Sequence, residues 1–181
     1  MTVTGVGQYL RDAGKISKFG RGKSGAKMTT TDAATLLIGV NASELAKDAV
    51  QTVETYASLP LSDAPHPYDL NDNMGGGEAL KQVLHNPANA VECIAGLVRL
   101  CIPDRRESPV LFLLNNDIEV VFHRPTPRID VSVFQKSPSR DRAFIGALIF
   151  SSANHVAAGD RRVEIKISTA TLRAVGSLLV T

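Results

Sequence analysis

Tryptophan is absent from these 181 residues, and aromatic side chains make up only 5% of them. The core therefore has to be built from Val, Leu, Ile and Ala, which bury well but leave few large anchors. There are two cysteines, Cys93 and Cys101, eight positions apart in a stretch with helical periodicity. At ~1.5 Å rise per residue they stand about 12 Å from one another, beyond the span of a disulfide. Two buried thiols in a reducing, cytoplasmic setting are expected. No apolar run approaches the ~20 residues that cross a bilayer. The opening residues also lack a signal-peptide pattern, because Thr, Gly and Gln interrupt them and Arg11 and Lys15 follow. No membrane association is expected.

Catalytic signatures are equally scarce. His66, His85, His123 and His155 are scattered without paired spacing, so neither a metal site nor another cofactor is expected. There is no nucleophile elbow, catalytic carboxylate pair or redox cysteine pair, and a non-enzymatic protein is expected. A catalytic reading needs a pocket that gathers His123, Asp130 and His155. Gly20–Ser24 has glycines, a lysine and a serine but not the spacing of a phosphate-binding loop.

What the chain does have is segregated charge. The formal net charge of +2 conceals +5 over residues 1–30, −6 over 31–102 and +3 over 103–181. The first of these carries Arg11, Lys15, Lys18, Arg21, Lys23 and Lys27 against Asp12 alone, interleaved with Gly14, Gly20, Gly22 and Gly25. Localised positive charge on a backbone with few side chains suits a polyanion.

Periodicity supplies the elements. A first helix is expected over 3–13, with Val6, Tyr9, Leu10 and Ala13 as its apolar stripe and Gly14 as its stop. Ile16 begins an outgoing extended leg and residues 26–28 a returning one, before Thr29–Asp32 caps a helix over 32–40. Asn41 and Ser43 form a joint, and a helix over 43–57 follows, with Leu45, Ala49, Val53 and Tyr56 inward. Residues 58–77, rich in proline and ending in glycines, read as a linker. Helices are expected over 78–85 and 90–101, the second burying Ile94, Leu97, Val98 and Cys101. Strands are then expected at 110–114, 118–123, 128–135, 143–151 and 163–167. Asn115-Asn116-Asp117 reads as the turn between the first two, and the apolar run at 143–151 as a central strand. A last helix runs from the Ser168–Thr171 cap with Leu172, Val175, Leu178 and Leu179 inward. The fold class is α+β, with a helical head at 1–57, a linker at 58–77 and a body at 78–181.

The residues Gly5-Val6, then Tyr9-Leu-Arg-Asp-Ala-Gly-Lys-Ile16, then the basic glycine-rich stretch and Met28-Thr-Thr-Thr-Asp32, resemble the winged-helix core of MerR-type and excisionase-type DNA-binding proteins. The style is also similar to small regulatory proteins of prophages. The match covers about 35 residues, and only four residues precede Gly5 where those families usually place another helix. The resemblance implies a winged-helix-like head in which Gln8, Arg11 and Lys15 face the major groove, while Lys18, Arg21, Lys23 and Lys27 follow phosphates from the wing. The implied function is that of a DNA-binding regulatory protein of phage or mobile-element type. Such a protein is expected to bind duplex DNA through its head, as a homodimer, with the α+β body dimerising, sensing a ligand or docking a partner. The alternative is a non-enzymatic inhibitor or adaptor whose basic loop occupies an acidic groove on a protein partner.

Overall fold

The computed structural model describes residues 1–18, 27–62, 77–85, 87–103, 115–136, 142–152 and 162–179. Among these, six helices and a four-stranded antiparallel sheet give an α+β fold. The helices are α1 (Val3–Asp12), α2 (Thr30–Ala42), α3 (Ala49–Ala57), α4 (Gly77–Leu84), α5 (Ala90–Leu100) and α6 (Thr169–Leu178). A 3-10 turn, Ala46–Asp48, leads into α3. The strands are β1 (Asn116–Arg124), β2 (Arg128–Lys136), β3 (Arg142–Ser151) and β4 (Val163–Ser168), in the order β3-β2-β1-β4.

Strict alternation decides which sheet face meets the helices. Ile118, Val120 and Phe122 of β1 and Ile129, Val131 and Val133 of β2 are fully buried. Their neighbours Glu119, Val121, His123, Asp130 and Ser132 lie on the other face. Helix α5 contributes Cys93, Ile94, Leu97 and Val98, all fully buried, to a core that also takes residues from α1, α2, α3 and α6. Each such side chain adds about 1.5–3 kcal/mol when removed from water. Both cysteines are buried and free. Burial pushes the Cys93 thiol up to about 12, and the Cys101 thiol up to about 11 against the opposing pull of Arg173.

Several expectations are corrected. Tyr9 is 47% exposed and Ala13 is also exposed, because α1 turns Gly7, with Val6 and Leu10, toward α2. A Cβ at Gly7 would lie 3.7 Å from the Leu36 side chain, an ordinary van der Waals contact. Leu45 is 53% exposed, since it is the extended residue before the 3-10 turn, and Ser43 ends α2 instead of opening α3. Asn116 and Asp117 belong to β1 and pair with Gln135 and Phe134, so the expected turn is not there. The pairing is held partly by Asp117, which meets Lys136 at 3.2 Å. The strand expected at 110–114 lies outside the described residues. β3 is an edge strand rather than a central one. Its apolar composition is matched by residues 59–62, where Leu61 bridges Phe150 and Leu59 is buried. There the Ser62 N–H donates to the Ile149 carbonyl at 2.7 Å, and the Ser151 N–H donates to the Pro60 carbonyl at 3.1 Å. Leu178 is 74% exposed because Gly176 takes the inward place on α6.

Gly176 lies against the main chain of Cys101, whose carbonyl carbon and oxygen would both be 2.8 Å from a Cβ there. Gly176→Ala gains up to ~1 kcal/mol of helix propensity but forces α6 off α5, which costs about 1–3 kcal/mol. A net fall in the urea midpoint with an unchanged slope is expected. In the folded protein both thiols should stay unmodified by a maleimide at neutral pH and react only on unfolding; modification of the native protein would contradict their burial.

Candidate nucleic-acid interface and a polar cleft on the sheet

The basic N-terminal segment is anchored at both ends by one carboxylate. Asp32, buried in the first turn of α2, accepts from the Ser17 N–H on Oδ1 at 3.0 Å and from the Thr29 N–H on Oδ2 at 2.9 Å. The Asp32 N–H in turn donates to Thr29 Oγ1 at 3.0 Å, which completes a capping box. Upstream, Gly14 adopts φ +69°, the turn that ends α1, and Ile16 is buried. Burial alone raises the Asp32 carboxyl, but the hydrogen bonds from Thr29 and Ser17 outweigh it and hold the group below its ordinary value.

The candidate DNA contacts fall into three groups. Gln8 is exposed on α1, and Lys18 and Lys27 are exposed at the two ends of the anchored segment. Arg11 is half-buried and folds back along its helix, with Nη1 3.4 Å from the position of a Cβ at Gly7. Lys15 pairs with Glu54 of α3 at 2.6 Å. An exposed pair of that kind contributes about 0–1 kcal/mol, whereas a charged acceptor on backbone N–H groups contributes about 1.5–3 for each bond. Asp32, not Lys15, therefore sets the base of the segment. Arg21 and Lys23 lie outside the described residues. The outward face of α1 also carries Asp12 and the exposed Tyr9.

A second constellation occupies the sheet face turned away from the helices. Register places Arg128 and Glu164 opposite His123 from either side, and Asp130 opposite Val121. His123 Nε2 lies 2.9 Å from Asp130 Oδ2, and Nδ1 lies 3.4 Å from Glu164 Oε1. Arg128 grips Asp130 with both Nε (2.7 Å) and Nη2 (2.9 Å), and these bonds, before burial opposes them, raise its pKa. Behind His123, its carbonyl accepts from the Tyr56 hydroxyl of α3, which burial pushes up to about 12 despite the nearby Arg124. Arg124 Nη1 donates to the Ser43 carbonyl at 2.7 Å. A neighbouring network joins Glu119 to Arg142 at 2.7 Å and Lys166 at 2.9 Å. Burial raises the Glu119 carboxyl, but these two cations more than offset it and lower its pKa. Because the two carboxylates face opposite nitrogens of one ring, they cannot join His123 around a single metal ion, and no metal-binding cluster occurs among the described residues. The sequence alone suggested His123 and Asp130 as neighbours; His155 lies outside the described residues. Asp32, Glu54, Arg128 and Glu164 were not anticipated. The sequence signals for them are the capping pattern at Thr29–Asp32 and the alternation of residues 163–167, which turns Glu164 outward.

Asp32→Asn keeps the side chain's shape but cannot accept from both chain ends with two oxygens. It should lose about 1–3 kcal/mol of stability at pH 7, measured by urea unfolding. Since the folded-state carboxyl is depressed, its contribution is complete above the unfolded pKa of ~3.9 and is lost as pH falls through the folded value. The gap between the two proteins should therefore close in acid, and a gap that stays constant to the lowest pH at which both fold would exclude this role. Comparison of the chain with known protein families, curated proteins and solved structures finds no match.

Proposed function

We propose that the chain is a DNA-binding regulatory protein, of the kind carried by phages or mobile elements, acting in the cytoplasm without catalysis. In this reading α1, the segment following Gly14 and α2 make up a winged-helix-like head. Gln8, Arg11 and Lys15 approach bases, and Lys18, Arg21, Lys23 and Lys27 approach phosphates. The observation that carries it is the Asp32 clamp: the stretch bearing four of the chain's cations, from Lys18 to Lys27, is flanked by Ser17 and Thr29, whose N–H groups both donate to one buried carboxylate. Such a clamp fixes the positions of Lys18 and Lys27, the outer two of these cations, both exposed. A body containing the sheet would pair two copies, so that two short heads add their binding free energies. Lys15 has to leave Glu54 to reach DNA, at small cost for an exposed pair.

A second reading rests on Tyr9. An exposed tyrosine at the outer surface of α1, beside Asp12, suits a protein partner better than a phosphate backbone. The chain would then be an inhibitor or adaptor, with its basic segment in an acidic groove.

Fluorescence anisotropy of a random duplex across a salt series separates the two. The DNA reading predicts micromolar binding whose log–log salt slope grows by ~0.9 for each phosphate neutralised, and its loss in Arg21→Glu/Lys23→Glu. Salt-independent or undetectable binding by the folded protein would sink it and leave the partner-binding reading.

A further inference from the structure

The cleft around His123 has the composition of a binding site for a small polar anion. It measures about 620 Å³, within the range of small-ligand pockets, and Val121 is the only apolar residue in its described lining. Four cationic side chains, Arg124, Arg128, Arg162 and Lys166, face two carboxylates, Asp130 and Glu164. Their commitments differ. Arg128 is tied to Asp130 through two bonds, Lys166 to Glu119, and Arg124 to the Ser43 carbonyl. Arg162 is exposed and has no ion-pair or hydrogen-bond partner among the described residues. Glu164 is the loosest member: its side chain is 64% exposed and stands 3.4 Å from His123 Nδ1, against 2.9 Å for Asp130 on the other nitrogen.

This asymmetry gives the two carboxylates different roles. Asp130, fixed by Arg128, orients the imidazole from the Nε2 side. Glu164 sits where an incoming anion would meet Nδ1, and an exposed pair of this kind is weakly held. We propose that the cleft binds a small phosphorylated polyol, whose phosphate takes the place of the Glu164 carboxylate at His123 and pairs with Arg162. Swinging Glu164 into solvent removes one negative charge from the lining, so the cationic excess rises as the ligand enters. Asp130, Thr126 and Ser151 remain as acceptors for hydroxyl groups. The described lining has no Phe, Tyr or Trp ring on which a base could stack, which favours a sugar phosphate over a nucleotide.

Isothermal titration of the full chain with ribose 5-phosphate, inorganic phosphate, ribose and AMP tests the assignment. Ribose 5-phosphate should bind, phosphate more weakly and ribose not at all, while AMP should gain nothing over ribose 5-phosphate. Arg162→Ala should weaken ribose 5-phosphate by about tenfold, the loss of one charged contact. Glu164→Gln, which removes the competing anion but keeps the side chain, should tighten it by about threefold. Both sites are exposed, so unchanged thermal melts are expected, and the His123 ring resonances should move on titration in the parent protein. Absence of binding up to ~10 mM would overturn the proposal. So would weakening by Glu164→Gln, equal affinity for bare phosphate, or tighter binding of AMP.

Discussion

Helix α2 sets the distances at which everything around it can pack. It is buried on almost every side, through Ala33, Ala34, Thr35, Leu37, Ile38, Gly39 and Ala42, and it meets α1, α3, α5 and β1. A helix enclosed in this way cannot carry large side chains all round, because its neighbours would be driven apart. Gly39 shows the limit: a Cβ there would lie 3.0 Å from Leu10, 3.1 Å from Val6 and 3.4 Å from Val53, so α1 and α3 both close onto the same point. The same helix presents Asp32 at its first turn. The element that organises the core is therefore also the one that holds Ser17 and Thr29, the two flanks of the basic segment.

On the surface of the sheet turned away from the helices, polar side chains are arranged in rows. Acid meets base along this face: Asp117 with Lys136 and Glu119 with Lys166 on adjacent strands, Glu119 with Arg142 across β2, and Asp130 with Arg128 two residues away on β2 itself. Such rows add modestly to stability and strongly to register, because a slip by one residue would bury the charges and expose the valines. At the end of the sheet next to α3 the logic changes. There the Tyr56 hydroxyl and the Arg124 guanidinium tie β1 to the helical layer, and the charges on the outer side are less evenly matched.

Much of this architecture was legible in the residues. The alternation of Ile129, Val131 and Val133, the spacing of Ile94, Leu97 and Val98, and the Thr29–Asp32 cap each reflect local rules that the fold obeys. Tyr9 and Leu178 read as core by size and hydropathy, yet Gly7 and Gly176 are the buried residues, and at Gly176 the main chain of Cys101 leaves no room for a side chain. The edge position of β3 and the extension of β1 through Asn116 and Asp117 depend on partners distant in the chain, which no window of neighbouring residues contains. For the candidate sites, charge density marked the basic segment. Asp32 as a clamp and Glu164 as a neighbour of His123 emerge only from the tertiary fold.

The strand order has a consequence for how the molecule comes together. β1, β2 and β3 form a meander whose contacts are local, but β1's other flank is filled by β4, whose residue Val163 pairs with Arg124 across 39 positions of chain. On its inner side β1 meets α2, which lies well upstream beyond the prolines of residues 58–77, and α6, which follows β4. Shielding the valine-rich side and filling β1's second edge both wait on segments distant in the chain. A chain with that schedule folds more slowly than its helix content suggests and, while waiting, offers neighbouring copies a sticky ribbon. Temperature and concentration during synthesis should govern the soluble yield more than the stability of the finished fold does.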